Sequence, residues 1–529
     1  MRRAMHDRLA ATISIALASA CSGASADVFM VTRADDSHES GTLRSAIALA
    51  NSANGSGVIQ FAPQLNGSTI TLSSGLIEID ASMLILGPGT DKLTISGNDA
   101  SRIFSVPNPG SMPMHVALAS LTLSHATGAV YTRLTALTMT DVVITSSNGG
   151  ALQANGGFVA LNKVIMQGNS GGCGGAFKFE SVTDAQIVDS VISGNTAAGA
   201  NCGGGGGYAY GSKIVVSRTV FAANHATHAG GALGIVGGYL RVVDSVIHGN
   251  SADGDGGAIN LRTTFRGGDA RIEGSRLYGN VAQSGGAVSL GNFATLQLKR
   301  STVSGNQADL YGGGIDAGPN TAYVGINYSL FSGNSITSLS GGGGGLALRS
   351  GNPTTVYNST FYGNYAYRNG GAIGIFGAAS GDHLLLASST IVRNAAYDDS
   401  SGIFADGTPA INSCIVADNA SHLTTQDLAG SFKAMFSLIK TPGTATIAGS
   451  TNLAPGTDPA LGPLAPNGGP TWSLLPAPGS AVIGAGDPGI SPTYRDQRGL
   501  PRVANGRADI GAVERQSAEE IIFRDGFGA

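Results

Sequence analysis

The chain has 529 residues, of which 81 are glycine, and only 12 % of its residues are charged. This composition favours tight turns and close backbone approach over long helices, and a hydrophobic content of 42 % excludes general disorder. The formal net charge is −4, and no cluster of Lys and Arg marks a groove for nucleic acid. We therefore expect no nucleic-acid partner.

Residues 1–26 have the features of a secretory signal peptide. A charged start is followed by the short apolar stretch 9–20 and by small residues that end at Ala26, as at a cleavage site. Cleavage after Ala26 would remove three Arg and one Asp and take the net charge from −4 to −6. No segment approaches ~20 uninterrupted apolar residues, so we expect an exported chain without a transmembrane segment.

Residues 27–68 are predicted to form an N-terminal cap. A stack of strands needs a cap, because its first coil otherwise presents an open edge. We expect one short helix here, since the following apolar residues fall at helical spacing: Leu43, Ala46, Ile47 and Ala50.

Residues 69–420 contain short runs with alternating apolar and polar residues, separated by turn residues, which is typical of strands. From about residue 140 onward, a unit of 25 to 30 residues repeats, as in Val246–Leu261: an apolar run, Gly-Asn, a polar loop and Gly-Gly-Ala-Ile. Repeats of this length indicate a solenoid. Three apolar clusters per repeat predict an all-β, right-handed parallel β-helix with three strands in each coil.

The Asn of each repeat is predicted to form a structural ladder along the interior. A side-chain amide at a fixed turn can bond the local backbone and the amide of the next coil. The residue three positions before each Asn is apolar and is expected to face inward. The predicted ladder residues are Asn169, Asn195, Asn224, Asn250, Asn280, Asn306, Asn334, Asn364, Asn394 and Asn419.

Two cysteines are candidates for a disulfide. Cys173 and Cys202 lie 29 residues apart, each before a Gly-rich run in successive repeats. Stacked coils would bring them about 5 Å apart, within disulfide range, and an exported protein is in an oxidising compartment. Two buried thiols in register are the alternative. Cys21 stands where lipoproteins carry a lipidated cysteine, but Ala18 replaces the usual leucine, so lipidation stays open.

Two kinds of segment resemble known families. Thr42–Ile47, TLRSAI, resembles the "SLREAI" hallmark of secreted β-helix proteins of the CSLREA type, although Ser45 replaces the usual Glu. The Phe-x-x-Asn and Gly-Gly-Ala-Ile motifs, for example Phe221–Asn224 and Gly256–Ile259, look like the repeats of chlamydial polymorphic outer-membrane proteins. In that family the repeats form a surface-exposed β-helix implicated in adhesion, and this resemblance implies the same role.

Residues 421–515 differ from the repeats in composition, since 11 of the 19 prolines lie between Pro442 and Pro501. Their motifs, which include Asp496–Gly499 and Asp509–Glu514, resemble the choice-of-anchor Q domain at the end of bacterial secreted β-helices. The resemblance implies a C-terminal cap in which Pro removes strand donors, and we expect Trp472 in its core.

Residues 516–529 form a tail similar to the "FRDGFE" ends of some gammaproteobacterial exported proteins, with an expected role in sorting or attachment. Together, the resemblances imply an extracellular location or the outer-membrane surface of a Gram-negative bacterium.

The sequence contains no catalytic motif, so we assign no catalytic or cofactor-binding residue. Asp253 and Asp255 are weak candidates for a Ca²⁺ site in one loop, although a solvated turn is the simpler interpretation. The spacing of His225, His228 and His248 gives no clear metal site. The aspartates considered for glycan chemistry are Asp253, Asp255, Asp309, Asp316, Asp398 and Asp399.

These observations predict an adhesin-like binding protein outside the cell. Its expected partners are cell-surface glycans or host and matrix proteins, and no cofactor is expected unless Ca²⁺ binds. Because β-helices also carry glycan enzymes, the alternative is a polysaccharide lyase or glycoside hydrolase with a groove on one β-helix face.

Overall fold

The computed structural model describes residues 27–53, 57–108, 110, 114–263, 268–377, 383–397, 402–421, 425–504 and 506–516. The chain divides into two compact units, Met1–His225 and Ala226–Ala529. The predicted signal peptide, Cys21, Asp398, Asp399 and the tail after Gln516 lie outside the described residues.

Helix α1, Leu43–Ser52, opens the first unit and begins at an N-cap, where the Thr42 hydroxyl accepts a hydrogen bond from the Ser45 amide at 3.2 Å. It contacts the strands Asp27–Val31 and Gly57–Phe61. A short 3₁₀ helix, Pro63–Leu65, follows. The buried side of α1 is the predicted one, formed by Leu43, Ala46, Ile47 and Ala50.

Arg44 fastens α1 to the first coil. Its guanidinium pairs with Asp36 through two hydrogen bonds of 2.9 and 3.0 Å, and it also donates to the carbonyl oxygens of Gly75 and Leu76. Asp36 in turn accepts the amide of Ser73 at 2.7 Å. The arginine of the TLRSAI motif therefore has a structural role.

The strands of the first unit form three parallel sheets, which we name A, B and C. Sheet A contains Asp27–Val31, Gly57–Phe61, Ser68–Thr71, Met83–Leu86, Leu93–Ser96, Met114–Ser124, Thr135–Thr145, Phe158–Asn162, Ile165–Gln167, Asp184–Val188, Val191–Ser193, Lys213–Ser217 and Val220–Ala222. Sheet B contains Ile77–Glu78, Phe104–Val106, Val130–Arg133, Leu152–Asn155, Phe177–Glu180 and Gly207–Tyr210. Sheet C contains Ser170–Gly171 and Thr196–Ala197, and the two-residue strand His225–Ala226 lies at the unit boundary.

The second unit has the same three kinds of sheet. Sheet A contains Gly238–Val243, Val246–His248, Gly268–Glu273, Arg276–Tyr278, Ala294–Lys299, Thr302–Ser304, Tyr323–Asn327, Leu330–Ser332, Thr354–Tyr357, Thr360–Tyr362, Leu384–Ala387, Thr390–Val392, Ala410–Asn412, Ile415–Ala417, Leu438–Ile439 and Thr446–Ala448. Sheet B contains Leu233–Val236, Ile259–Arg262, Val288–Leu290, Ile315–Ala317, Leu346–Arg349, Ile373–Phe376 and Ile403–Ala405. Leu428–Met435 pairs with both sheets. Sheet C contains Ser251–Ala252, Val281–Ser284, Gln307–Tyr311, Ser335–Ile336, Tyr365–Ala366, Ala395–Ala396 and Ala420–Ser421.

Each regular coil therefore contributes to three sheets, as the three apolar clusters predicted. The sheet A strand consists of two segments, and the first residue after the longer segment bends the backbone, as Asp244 does with a φ of 48°. A second bend precedes the ladder Asn and also needs a positive φ, which explains the glycine of Gly-Asn; Gly249 has a φ of 60°.

The core of both units is built from columns of apolar side chains that stack from coil to coil. Phe331 and Phe361, for example, pair across neighbouring coils with ring centroids 4.6 Å apart. The predicted inward residues are all 0 % exposed: Met166, Ile192, Phe221, Ile247, Leu277, Val303, Phe331, Phe361, Ile391 and Val416. The residues after Gly-Gly are equally buried: Ala176, Ala232, Ala258, Ala287, Ile315, Leu346 and Ala372.

The β-helix pairing extends beyond residues 69–420 at both ends, because Asp27–Val31 already pairs with Gly57–Phe61 and the last strand is Thr446–Ala448. Residues after this strand close the final coil. Asn452 donates to the Ala434 carbonyl at 2.9 Å and accepts the Ser437 amide at 3.0 Å, which satisfies backbone groups at the open end.

The rest of the Pro-rich region turns back along the outer face of sheet A. Leu474, Val482 and Ile510 pack in one buried cluster with outward residues of that sheet, including Val392 and Ile415. The cap therefore covers one side of the second unit as well as its end.

The motif residues of this region bind one another. Asp496 accepts the amides of Arg498, Leu500 and Glu514, and Glu514 accepts the amide of Asp509. These bonds indicate a structural role for both motifs.

The expectation for Trp472 was wrong, because its side chain is 54 % exposed. Its carbonyl accepts a hydrogen bond from Gln497, and the neighbouring Thr471 donates to the Tyr328 carbonyl. The backbone is thus attached to sheet A while the indole stays at the surface.

Candidate functional site

The ladder asparagines bond from coil to coil in both units. Within each unit, the backbone amide and the side-chain Nδ2 of a ladder Asn donate to the Oδ1 of the next Asn; for Asn280 and Asn306 these distances are 3.0 and 2.9 Å. Nδ2 of Asn280 also donates to the Ile247 carbonyl at 3.1 Å. The same pairing joins Asn169, Asn195 and Asn224 in the first unit, and Asn250, Asn280, Asn306, Asn334, Asn364, Asn394 and Asn419 in the second.

The ladder of the second unit ends on a carboxylate instead of an amide. Oδ1 of Asp427 accepts both the amide and Nδ2 of Asn419, at 3.0 and 2.8 Å, while its Oδ2 accepts the Thr441 amide at 2.7 Å. Donors therefore face both oxygens, and an ionised carboxylate is the side chain that accepts on both sides.

A second ladder, of hydroxyl groups, was not predicted from the sequence. Ser245, Ser275, Ser301, Ser329 and Ser359 each donate their amide to the hydroxyl of the next coil, at 3.1 to 3.3 Å. The signal was a Ser or Thr five residues before most of the ladder asparagines. Cys414 takes this position in the last repeat, where its thiol accepts the Ser389 amide at 3.4 Å, so this buried cysteine belongs to the ladder.

Cys173 and Cys202 are joined by a disulfide in the first unit, with their Cα atoms 5.4 Å apart. Both residues lie in the loops that precede sheet B strands of successive coils, Phe177–Glu180 and Gly207–Tyr210, which pair directly. The bond therefore links neighbouring coils.

The candidate site lies in the second unit, in a cleft of about 480 Å³ on the outer face of sheet B. Asn260, Ser289 and Asp316 occupy the same register position in three successive strands, so their side chains form one polar column. Loops from neighbouring coils form the walls. The cleft is lined by Thr227, His228, Ala229, Asp253, Gly254, Asp255, Asn260, Arg262, Gln283, Ser289, Leu290, Gly291, Asn292, Gly318, Pro319 and Arg349.

Arg349 is held in the cleft by a buried carboxylate. Its Nε and one terminal nitrogen donate to the two oxygens of Asp316 at 3.0 and 2.6 Å, and its guanidinium lies 4.8 Å from the centre of the Tyr311 ring. The Asp316 side chain is 0 % exposed. Burial raises the pKa of Asp316 to about 7, although the Arg349 charge acts in the opposite direction.

Asp255 is the half-buried acid of the cleft. Burial raises its pKa, against the favourable charges of Arg349, His228 and Arg262 and a hydrogen bond with Ser284. A carboxyl group that keeps its proton more strongly than usual is suited to donate that proton to a bound ligand.

The structure separates the other candidates from this cluster. Asp253 also lines the cleft but is exposed. Asp309 accepts a hydrogen bond from Thr337 at 2.8 Å and does not line the cleft. His248 stacks on Tyr278 at 4.9 Å. Of the three histidines, His228 lines the cleft, with its Nδ1 buried and without a hydrogen-bond partner in the structure.

Within the described part of the chain, no group of three or more His, Cys, Asp and Glu side chains is placed to hold a metal ion. A Ca²⁺ ion at Asp253 and Asp255 stays a prediction. Over the same residues, no helix combines the length and apolar character needed to cross a membrane.

Residues 257–433 match the family model of the right handed beta helix region. The match and the parallel coils together establish a right-handed parallel β-helix. A search of curated proteins gives no match to the sequence.

Several solved structures are similar in fold. Tailspike protein 3 of bacteriophage CBA120 is 12 % identical with a TM-score of 0.34, and the match covers 77 % of this chain and 56 % of the tailspike. The A-module of mannuronan C-5 epimerase AlgE6 from Azotobacter vinelandii is 13 % identical with a TM-score of 0.30, covering 78 % and 94 %. Pectate lyase Pel9A is 13 % identical with a TM-score of 0.31, covering 94 % and 98 %. These values support no conclusion about activity.

Sequence reasoning selected Asp255, Asp316 and His228 as separate candidates and did not select Arg262 or Arg349. The two arginines were missed because they occupy the last positions of strands in different coils, Ile259–Arg262 and Leu346–Arg349. The signal available in the sequence was the alignment of repeats, which places Asn260, Ser289 and Asp316 in one column.

Proposed function

We propose that this protein binds an extracellular polysaccharide along the sheet B cleft, as an adhesin-like β-helix exported from the cell. The observation that supports the proposal is that Asn260 and Ser289, in register on neighbouring coils, line the cleft together with Arg349, which Asp316 holds in place. Coils repeat every ~4.8 Å, so an extended chain parallel to the axis meets hydrogen-bonding groups at regular intervals.

The composition of the cleft favours hydroxyl-rich ligands. Amide, hydroxyl and charged side chains line it, among them Asn260, Gln283, Ser289 and Asn292. Such groups bond to the paired donors and acceptors of sugar hydroxyls, and the large apolar side chains typical of drug-like pockets are few here.

Binding is tested with the chain from residue 27 onward on a glycan array, followed by titration with the glycans that bind. We expect Asn260→Ala and Ser289→Ala to weaken binding about tenfold each, because a lost hydrogen bond corresponds to roughly 1.4 kcal/mol or less. Asp309→Asn, outside the cleft, is the matched control and retains full affinity. Retention of wild-type affinity by both cleft variants would contradict the proposal.

The remaining parts of the proposal have their own tests. N-terminal sequencing of protein recovered from the culture medium or cell surface should begin at Asp27, and a lipidated Cys21 would appear in intact mass. A chelator in the binding assay tests the Ca²⁺ prediction at Asp253 and Asp255. Binding to host or matrix proteins, without binding to any glycan, would show that the ligand is a protein and not a polysaccharide.

A further inference from the structure

Two aspartates of the cleft differ in their surroundings, although only Gly254 separates them. Asp253 is exposed to water, whereas Asp255 is half-buried among His228, Arg262 and Arg349. Both side chains line the same space. A pair of carboxyl groups in contrasting environments is the arrangement that acid–base cleavage of a glycosidic bond requires, because one group must donate a proton while the other accepts one.

Resting on the proposed polysaccharide binding, we infer that the cleft hydrolyses a neutral polysaccharide, with Asp255 as the general acid and Asp253 as the general base. Asp255 is the donor because burial favours its protonated form. Asp253 is the acceptor because its exposed position keeps it in contact with the water that it activates.

The reaction uses water as its co-reactant. Asp255 transfers its proton to the glycosidic oxygen as the bond from that oxygen to the anomeric carbon breaks. The water oxygen bonds to the anomeric carbon, and its proton goes to Asp253. Two shorter chains result, one with a new reducing end. Asp253 then releases a proton to solvent and Asp255 takes one up, which restores the starting state.

The charges of the cleft decide between a neutral and an acidic chain. The Arg349 charge is already compensated by Asp316 through two hydrogen bonds. Among the other charged side chains that line the cleft, Asp253 and Asp255 are acidic and Arg262 is basic. No surplus of positive charge is left to hold a polyanion, and the whole chain carries a formal net charge of −4.

Asp316 and Arg349 act as positioning residues for Asp255. Burial raises the pKa of Asp255, whereas the charges of Arg349, His228 and Arg262 lower it. Asp316 holds Arg349 through two hydrogen bonds, so replacing Asp316 with Asn leaves the Arg349 charge without its partner. The uncompensated arginine lowers the pKa of Asp255, so the alkaline limb of the rate profile should move to lower pH.

The experiment incubates the chain from residue 27 onward with neutral polysaccharides (arabinan, galactan, xylan, mannan, mixed-linkage glucan) and acidic ones (polygalacturonate, alginate). New reducing ends and unsaturated ends are measured separately. We expect reducing ends from a neutral chain, with about 10²–10⁴-fold slower release by Asp255→Asn and by Asp253→Asn. Asp309→Asn should keep the wild-type rate, and Asp255→Asn should still bind the polysaccharide.

Each other outcome has a distinct meaning. Binding without new ends from any substrate would overturn hydrolysis and leave the binding proposal intact. Unsaturated ends, or cleavage restricted to acidic chains, would also overturn it. An equal loss of rate in Asp309→Asn, or an unmoved alkaline limb in Asp316→Asn, would remove the assigned roles. Absence of binding of the folded wild-type chain to every glycan would refute both proposals.

Discussion

The interior ladder and the sheet B cleft both place asparagine at repeated positions, but they use it differently. Asn280 is 0 % exposed, and its side chain bonds to two neighbouring coils. Asn260 is 7 % exposed and faces a cleft. Along the ladder, amides bond to amides, and the last one, Asn419, bonds to the Asp427 carboxylate. The cleft combines charges of both signs at a surface open to ligands.

This difference shows how a solenoid separates stability from function. A ladder residue must match the coils before and after it, so its identity repeats along the chain. A cleft residue contacts only a few coils, and its identity changes from Asn260 to Ser289 to Asp316 along one column. Departure from the repeat on an exposed face is therefore the feature that points to a site.

The largest expected effect concerns the buried charge beneath the cleft. The pKa of Asp316 is raised from 3.8 to about 7, so the stability that this group provides is fully present below pH 3.8 and is lost as pH rises through 7. We expect wild type to lose up to about 4 kcal/mol relative to Asp316→Asn between pH 4 and pH 8, since one pKa unit corresponds to about 1.4 kcal/mol. Denaturant titrations at several pH values measure this difference. A difference in unfolding free energy between wild type and Asp316→Asn that does not change with pH would contradict the prediction.

Breaking the ladder at its middle should cost almost as much. Asn280→Ala leaves the amide and Nδ2 of Asn250 without their acceptor and the Ile247 carbonyl without its donor. We expect a loss of about 3 kcal/mol, the upper range for an unsatisfied buried group. Hydrogen exchange of the flanking coils locates the loss. Asn148→Ala, at an exposed position, is the control and should change stability by less than about 0.5 kcal/mol; equal midpoints for the two variants would argue against a buried ladder.

The end of the ladder offers a more conservative change. Asp427→Asn keeps the oxygen that faces Asn419 but turns an NH₂ group toward the Thr441 amide, which now donates to a carboxylate oxygen at 2.7 Å. We expect a loss of about 2 kcal/mol at pH 8, because two donors then face each other. Thermal and chemical denaturation measure it, and a stabilised variant would show that the carboxylate is not needed there.

The smallest effect on stability is expected in the cleft. Asn260→Ala should lower the free energy of unfolding by about 1 kcal/mol or less, in contrast to Asn280→Ala, because Asn260 is buried at 7 % exposure but lines a cleft and does not belong to the amide ladder. The same variant should weaken polysaccharide binding. If instead Asn260→Ala destabilises the protein as strongly as Asn280→Ala does, the cleft contributes to stability as much as the ladder, and the contrast between them is wrong.

The repeat made the body of the fold predictable. Gly-Asn spacing, the apolar residue three positions before each Asn and the Gly-Gly after it led to parallel three-strand coils with two inward columns, and all of these residues are buried. Helix α1 was predictable for the same reason, since its apolar side matches one period. Each inference needed only the local sequence pattern, because every coil has the same buried positions and turns as its neighbours.

Only the tertiary structure decided how the C-terminal region and the cleft are formed. The C-terminal region turns back along sheet A and leaves Trp472 at the surface. This path depends on packing between residues such as Ile510 and Ile415, which are about a hundred residues apart in sequence. The cleft depends on Arg349 reaching Asp316 one coil away and on burial that raises the pKa of Asp255. The sequence determined the coil and its ladder through repetition, whereas burial and long-range contacts, which a repeat pattern does not encode, determined the site.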